Sequence, residues 1–243
     1  MEKETKKAID LVKKSTHLTA LTGAGISTLS GIADFRGEHN PIWDKFPQER
    51  VFDADYFRHD PALFYDFLRE ITQKEYEPNI AHIALKKLEA AGILKAVITQ
   101  NIDGLHQKAG SKKVYELHGS IFSNHCVKCR KECTMDELKE KLDNEKAPHC
   151  SCGGTIRPGI VFYGEQIPEE SMKMSVYHAS RSDLMIVSGT SLLVQPAAYM
   201  PVYTLKNNGK VILVNKGQTY LDDRAEVALP DIGEFFAALA EEF

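Results

Sequence analysis

Five short apolar runs recur along the chain, and helical stretches separate several of them. Each run is rich in β-branched or aliphatic residues; the five are His17–Thr22, Lys95–Thr99, Val114–Leu117, Leu184–Val187 and Val211–Val214. The predicted helices are Ala81–Ala91, Pro168–Ala179, Ala197–Leu205 and a closing amphipathic stretch, Ile232–Glu242. This alternation is typical of a mostly parallel sheet with helices on both faces. We therefore predict an α/β fold with a doubly wound, Rossmann-like parallel sheet.

Two regions interrupt the alternation. Residues 38–80 are rich in aromatic side chains and are predicted to be helical, whereas residues 120–159 hold all five cysteines. A chain of 243 residues is long enough for one large domain. We predict a single domain whose core comprises 1–37, 81–119 and 160–243, with a helical insert at 38–80 and a metal-binding module at 120–159.

Glycine and polar residues directly follow the predicted strands. Ligands of open α/β sheets bind beyond the carboxyl ends of the strands, so we expect these residues to converge on one crevice. They are Gly23–Gly25, Gln100–Asn101, His118, Gly189–Ser191 and Asn215.

The cysteines are paired in a way that is typical of a zinc site. Cys126 and Cys129 form a C-x2-C pair, and Cys150 and Cys152 follow as a C-x-C pair beside two glycines. Four thiolates bind Zn²⁺ tetrahedrally and leave no position for water, so the predicted metal is structural. Because the second pair is shorter than usual, Cys133 or His149 stays open as the fourth ligand. Five unrelated buried cysteines are the alternative interpretation.

The first strand runs into a glycine loop that departs from the dinucleotide fingerprint. Gly23 and Gly25 fit G-x-G, but Thr28 occupies the position of the third glycine. Such a loop lets phosphate approach backbone N–H groups. The acidic residue expected about 20 residues further on has no clear counterpart, which argues against a standard dehydrogenase. The segment Asp34–Gly37 follows, with an arginine that could pair with phosphate.

Composition excludes several classes of protein. The net charge of -4 and the pI of about 6.1 argue against a general nucleic-acid binder, which needs clustered cations. No apolar run reaches membrane-spanning length, and the charged N-terminus has no signal-peptide core. We expect a cytoplasmic monomer that binds neither nucleic acid nor membrane, with cysteines that serve as thiols or metal ligands.

Taken together, the motifs resemble those of the sirtuins, which are NAD-dependent protein lysine deacylases. They occur in the family's order over residues 20–215, and the size of the chain is similar to that of the compact bacterial members. Ala33 and Tyr163 replace a proline and a phenylalanine that are frequent in the family. The matching motifs are Gly23–Ser27, Gly31–Gly37, Thr99–His106, Glu116–Gly119, the cysteine pairs, Val161–Glu165, Gly189–Leu192 and Pro196–Ala197.

The resemblance implies that NAD is consumed as a co-substrate and that His118 and Asn101 are catalytic. His118 would take a proton from the ribose hydroxyls, as a general base with a pKa near neutrality can. The resemblance also implies four groups of residues that contact NAD. The pyrophosphate loop is Gly23, Ala24 and Thr28, and the mobile cofactor loop is Asp34, Phe35 and Arg36. The nicotinamide pocket is Gln100, Asn101, Ile102, Asp103 and His118, and the ribose and adenine sites are Gly189, Thr190, Ser191, Asn215 and Asp231 or its neighbour.

The resemblance also implies a protein substrate. Acylated-lysine proteins would bind as extended peptides along Val161, Phe162, Tyr163, Gly164 and Glu165, by strand addition. The products would be free lysine, nicotinamide and O-acyl-ADP-ribose. Family members that prefer acidic acyl groups carry Tyr-x-x-Arg in the insert, whereas Tyr65 is followed here by Leu68 at the arginine position. We therefore expect acetyl or another neutral acyl group.

Two other functions remain as alternatives. A mono-ADP-ribosyltransferase would use the same NAD pocket on a different acceptor. A non-enzymatic zinc-ribbon module on a vestigial nucleotide fold would consume no NAD.

Overall fold

A computed structural model describes residues 2–35 and 41–243 of the chain. Its strands, in chain order, are β1 (Leu18–Thr22), β2 (Leu94–Thr99), β3 (Val114–Glu116), β4 (Gly119–Cys126), β5 (Glu132–Cys133), β6 (Ile156–Ile160), β7 (Leu184–Ser188), β8 (Lys210–Val214) and β9 (Val227–Leu229). Its α-helices are α1 (Glu2–Lys14), α2 (Pro41–Lys45), α3 (Gln48–Val51), α4 (Ala54–His59), α5 (Ala62–Thr72), α6 (Ile80–Ala90), α7 (Leu105–Lys108), α8 (Met135–Leu142), α9 (Glu169–Arg181), α10 (Met200–Lys206) and α11 (Ile232–Glu241). Two 3-10 helices span Ala24–Ser30 and Ala197–Tyr199.

Six strands form one parallel sheet in the order β3-β2-β1-β7-β8-β9. In the central register, Leu21 pairs with Ile98 on one side and with Val187 on the other. The order reverses direction at β1, so the crevice at the carboxyl ends of β1 and β7 is the expected place for a ligand. The predicted doubly wound parallel sheet is confirmed.

The central strands are buried on both sides because helices cover both faces of the sheet. Ile186 packs in a core formed with α1, α6 and α11, whereas its neighbours Met185 and Val187 pack in a second core with α9 and α10. Alternate residues of one strand point to opposite faces, so a continuous apolar run supplies both cores.

The two inserts share a third core. β5, β4 and β6 form a small antiparallel sheet. Its Ile121 and Ile160 pack with Phe57 and Phe64 of the helical insert and with Leu138 of α8. The helical insert and the cysteine module are therefore joined through one aromatic-rich core, an association that the sequence prediction did not include.

One strand of the parallel sheet and one predicted helix differ from the prediction. The edge strand β9 was missed because it has three residues and exposes the middle one, Ala228. The helix predicted over Ala197–Leu205 is divided into a 3-10 turn and α10. Pro201 has no N–H and lies in the first turn of α10, where that donor is not needed.

Within residues 2–35 and 41–243, we find no helix with the length and apolar character needed to span a bilayer.

Candidate functional site

One large cavity lies beyond the carboxyl ends of β1, β2, β7 and β8. Its volume is about 2320 Å³, larger than the ~300–1,000 Å³ of typical ligand sites. The expected convergence of the residues that follow the strands is confirmed, since all of them line this cavity. They are Gly23, Ala24, Gly25, Gln100, Asn101, His118, Gly189, Thr190, Ser191 and Asn215.

The glycine loop is in close contact with the loop that follows β7. A Cβ atom on Gly23 would lie 2.7 Å from the Gly189 carbonyl oxygen, and one on Gly25 would lie 2.8 Å from the Gly189 Cα. Gly189 itself has φ +66, in the left-handed region that favours glycine. The three glycines thus bring two backbone loops together at the floor of the cavity. Thr28 lines it too and donates to the Gly25 carbonyl at 2.9 Å.

An aromatic wall faces the glycine loop. Phe35 stacks on Trp43 with ring centroids 5.0 Å apart, and the Trp43 indole N–H donates to the Asp34 carbonyl at 2.8 Å. Phe52 and Phe67 of the helical insert extend this wall, and all five residues line the cavity. Arg36, the third residue predicted in this loop, lies outside the described residues.

Asn101 is held by a chain of hydrogen bonds beneath the cavity. Its side-chain amide donates to Ser27 Oγ at 3.1 Å, and Ser27 donates to Asp103 at 2.7 Å. The Asp103 carboxylate also accepts from the Leu105 backbone N–H at 3.0 Å. Ile102 lines the same part of the cavity. The sequence prediction missed Ser27, although the residue belongs to one of the quoted motifs, because its partners are 74 and 76 positions away.

Among the other predicted cofactor residues, the lining of the cavity includes Gln100, Thr190 and Asn215 but not Asp231. Gln100 donates to Thr190 Oγ1 at 2.8 Å, which ties the loops after β2 and β7 together. The Asn215 amide donates to the Gly217 carbonyl at 2.7 Å. Asp231 caps α11 by accepting from the Glu234 N–H at 2.8 Å. Its neighbour Ile232, rather than Asp231 itself, is among the residues that line the cavity.

His118 follows β3 and is oriented by one backbone contact. Its Nδ1 lies 3.0 Å from the Gln100 carbonyl oxygen, which can only accept, so Nδ1 carries the proton. The neutral ring therefore presents Nε2 as a proton acceptor. Burial lowers the pKa of His118, and the Gln100 carbonyl opposes that change. The ring is thus neutral at pH 7, as a general base requires.

The segment Val161–Glu165 leaves the end of β6 and follows the wall of the cavity. The Val161 N–H donates to the His118 carbonyl at 2.8 Å, and the Tyr163 N–H donates to the Phe52 carbonyl at 2.7 Å. Tyr163 also forms an isolated parallel bridge with Asp53. The segment is therefore fixed between the catalytic histidine candidate and the helical insert. All five of its residues line the cavity.

Four cysteines form a compact cluster at the end of the small sheet. The Sγ atoms of Cys126 and Cys152 are 3.5 Å apart, those of Cys129 and Cys150 are 3.7 Å apart, and all four lie within 4.8 Å of one another. Tetrahedral Zn²⁺ with Zn–S bonds of about 2.3 Å places the sulfurs about 3.8 Å apart. A Cβ atom on Gly154 would come within 2.7 Å of Cys126 Sγ, so this glycine makes room for the sulfur.

The cluster uses both members of the C-x-C pair. His149 pairs with Glu145 at 3.0 Å, and Cys133 lies against the Thr134 carbonyl, so neither joins the four thiols. The donor set therefore suits a structural zinc ion held by Cys126, Cys129, Cys150 and Cys152.

Comparison with known proteins identifies the family. A model of the "Sir2 family" matches residues 23–196, which is more than half of the chain. The chain belongs to the Sir2 family. The NAD-dependent protein deacetylase of Thermotoga maritima is 46% identical over 241 residues, covering 98% of this chain and 97% of the relative.

Solved Sir2 structures have the same fold. One that contains a p53 peptide and NAD+ is 45% identical, superposes with a TM-score of 0.91 and covers 98% of both chains. Another, of a Sir2 variant with deacetylated p53 peptide and 3'-O-acetyl ADP-ribose, is 45% identical with a TM-score of 0.92 and the same coverage.

Two buried histidines lie beneath the glycine loop and the Asn101 network of this Sir2 chain. His106 contacts Thr22 Oγ1 at 2.9 Å, and Thr22 donates to Thr99 Oγ1, which also accepts the Asn101 N–H. His82 packs against His106 with ring centroids 4.8 Å apart. Burial, the main cause in each case, lowers the pKa of His82 to about 4 and that of His106 to about 3.

Acid is expected to destabilise the fold through this pair. The unfolded chain binds more protons than the folded chain between pH 6.5 and the lowered pKa values. The free energy of unfolding therefore falls as pH decreases, by about 1.4 kcal/mol per histidine per pH unit below 6.5. Between pH 7.5 and pH 5.5, we expect His82 and His106 together to lower the free energy of unfolding by about 3 kcal/mol. Urea unfolding at pH 7.5 and pH 5.5 measures the total change.

The variant His106→Gln isolates one titrating group from the others. We expect the difference between the two pH values to shrink by about 1.4 kcal/mol relative to the unaltered protein. An unchanged difference in a folded variant would contradict the assignment of this pH dependence to His106.

Proposed function

We propose that this chain is an NAD-dependent protein lysine deacylase. It removes acetyl or another neutral acyl group from lysine side chains and yields nicotinamide and O-acyl-ADP-ribose. One observation carries the proposal: His118 presents a neutral ring to the same cavity that the glycine loop and the Asn101 network line. The Sir2 relatives add support, since their solved complexes contain NAD+, peptides and 3'-O-acetyl ADP-ribose.

The residues are proposed to divide the work along the cavity. The loops at Gly23–Thr28 and Gly189–Ser191 bind the phosphates and the ribose, and Asn215 with Ile232 bounds the adenine end. Asn101 orients the nicotinamide carboxamide together with Ile102 and Asp103, and Phe35 shields the ring. His118 Nε2 accepts a proton from a ribose hydroxyl, which allows that oxygen to capture the acyl group.

The substrate is proposed to be an acylated-lysine protein that binds as an extended peptide along Val161–Glu165. A peptide in that position would place its acyl-lysine beside His118, because the Val161 N–H is bonded to the His118 carbonyl. Zinc held by the four cysteines stabilises the module that precedes this segment in the chain. Action as a cytoplasmic monomer without nucleic acid belongs to the same proposal, and light scattering tests the monomer.

Mass spectrometry of an acetyl-lysine peptide, incubated with the protein with and without NAD, tests the proposal. We expect loss of the acetyl group only with NAD, accompanied by one nicotinamide and one O-acetyl-ADP-ribose per lysine freed. Nicotinamide release with an intact acetyl peptide and an ADP-ribosylated protein would instead support the mono-ADP-ribosyltransferase. Failure of the zinc-loaded protein to consume NAD with any acyl peptide would support the non-enzymatic module.

Acetyl-lysine is expected to react far better than succinyl-lysine. The cavity side of α5 presents Phe67, Ile71 and Thr72, all uncharged. Arg69, the one arginine of α5, bonds to the Leu142 carbonyl at 3.0 Å and to Asp66 at 2.6 Å. A succinyl carboxylate would have no bidentate arginine partner on α5, and its desolvation costs several kcal/mol, so we expect kcat/KM to favour acetyl by at least about 100-fold.

Peptides of one sequence carrying acetyl, propionyl or succinyl groups measure this preference. The propionyl peptide is the matched control, because it is longer than acetyl but uncharged. Similar kcat/KM values for the acetyl and succinyl peptides would contradict the predicted neutral-acyl preference.

A further inference from the structure

Arg157 and Glu165 form a two-pronged ion pair at the edge of the proposed peptide site. Arg157 lies on β6, and its Nη1 and Nη2 lie 2.8 and 2.9 Å from the two carboxylate oxygens of Glu165. Only 20% of the Arg157 side chain and 25% of the Glu165 side chain are exposed. Bidentate pairs that are shielded from water hold a fixed geometry, unlike most surface ion pairs.

The guanidinium also binds the backbone on which the segment begins. Its Nη2 donates to the Ile160 carbonyl at 3.1 Å and its Nε to the Pro158 carbonyl at 3.3 Å. The same group thus joins the end of β6 to the last residue of the segment Val161–Glu165. It fixes the distance between the two ends of the segment.

Glu165 also forms hydrogen bonds within the segment itself. Glu165 accepts a hydrogen bond from the Phe162 N–H at 3.1 Å, and its own N–H donates to the Phe162 carbonyl at 3.0 Å. The hydrogen bond from Arg157, the largest cause, holds the pKa of Glu165 below its ordinary value. The carboxylate therefore stays charged at neutral pH.

Aromatic rings lock the arrangement against the shared core. The Arg157 guanidinium lies 4.9 Å from the Phe162 ring centroid and 5.7 Å from that of Phe57. Phe162 is 1% exposed and packs 4.7 Å from Phe57. Cation–π contacts of this kind strengthen when water is excluded. Arg157, Glu165 and Phe162 therefore form one continuous set of contacts.

We propose that Arg157 and Glu165 are positioning residues that hold Val161–Gly164 in the shape that receives the acyl-lysine peptide. We call this ion pair the Arg157–Glu165 clamp. Glu165 then acts on the peptide by fixing the shape of the segment, through its bonds to Arg157 and to the Phe162 N–H. The inference rests on the proposed function, which assigns the peptide to this segment. A segment ordered in advance binds its partner more tightly, since less freedom is lost on binding.

Three variants test the clamp: Arg157→Met, Glu165→Gln and the double variant. The measurements are kcat, the KM values for an acetyl-lysine peptide and for NAD, and the Kd of a fluorescein-labelled form of that peptide by anisotropy. We expect each single variant to raise the peptide KM and Kd at least tenfold. The double variant should lose less than the product of the two single losses, because both changes remove the shared Arg157–Glu165 contact. For Arg157→Met, we expect kcat at saturating peptide and the KM for NAD to stay within twofold.

Arg58→Met is the matched control. Arg58 is also an arginine near Glu165, but its ion pair with Asp55 is exposed on α4. We expect its peptide Kd to be unchanged, which would show that positive charge alone does not explain the effect. Thermal unfolding shows whether Arg157→Met is folded. If it is not, the peptide Kd of the isosteric variant Glu165→Gln tests the clamp.

The outcomes separate the clamp from the proposed function. Turnover by the unaltered protein, with unchanged peptide affinity in folded Glu165→Gln, would overturn the clamp alone. The clamp would also be overturned if the losses of peptide affinity multiplied in the double variant. A rise in the KM for NAD as large as the rise in the peptide KM would overturn it too. An unaltered protein that neither binds nor consumes the acetyl-lysine peptide would overturn the proposed function and the clamp together.

Discussion

Replacing His118 by alanine is expected to lower kcat for deacylation by about 10²–10⁴-fold. The neutral ring presents Nε2 to the cavity because Nδ1 is bonded to the Gln100 carbonyl. Alanine removes the proton acceptor but leaves the glycine loop and the Asn101 network in place. We therefore expect the KM for NAD to change by less than about threefold. Steady-state rates at saturating NAD and peptide measure the loss.

The pH profile gives a second view of the same residue. A general base works only when it is unprotonated, so activity should be lost as pH falls through its pKa. Because burial lowers the pKa of His118, that loss should occur below pH 6.5. His59, an exposed histidine bonded to the Asp55 carbonyl, provides the matched control. Retention of more than a tenth of kcat in His118→Ala, or an equal loss in His59→Ala, would contradict the assignment.

The parallel sheet could be predicted because burial on both faces leaves a clear trace in sequence. The strand Leu184–Ser188 is buried throughout and apolar over its first four residues, so it stands out as a run. The edge strand Val227–Leu229 buries only its first and last residues, and three residues do not form a recognisable period. The convergence of the loops followed from the sheet itself, since all parallel strands end at the same edge.

The contacts between distant segments could not be predicted in the same way. Ser27 and Asp103 meet only because the loops after β1 and β2 are adjacent in the folded chain. Phe57 and Ile160 pack in the shared core of the helical insert and the cysteine module. No sequence pattern around either residue predicts this contact. The spacing of the C-x-C pair left its fourth ligand open, and the positions of the sulfurs favour Cys152 over Cys133.

The shared core also connects the metal site to the active cavity. Leu138 and Ile156 of the cysteine module pack in the same cluster as Phe52 and Phe67, which line the cavity. A small module of this kind has little core of its own, so metal binding supplies much of its folding free energy. Loss of the metal should therefore disturb the helical insert as well as the module.

Cys150→Ser is expected to remove the bound zinc, lower the melting temperature by at least about 10 °C and abolish most deacylation. Serine cannot supply the thiolate that completes the tetrahedral set. Inductively coupled plasma mass spectrometry should find one zinc per unaltered chain and less than a tenth of that in the variant. Thermal unfolding by circular dichroism gives the change in melting temperature, and the acetyl-peptide assay gives the change in activity.

Cys133→Ser is the matched control, because Cys133 lies in the same module but outside the cluster of four sulfurs. It should keep its zinc, its melting temperature and its activity, so only the four clustered thiols would be needed. Equal zinc loss in Cys133→Ser would assign a metal ligand to that residue and contradict the arrangement of sulfurs described here. Full zinc occupancy in Cys150→Ser would contradict the structural role of the C-x-C pair, because a site that keeps its metal with three cysteines has a different fourth ligand.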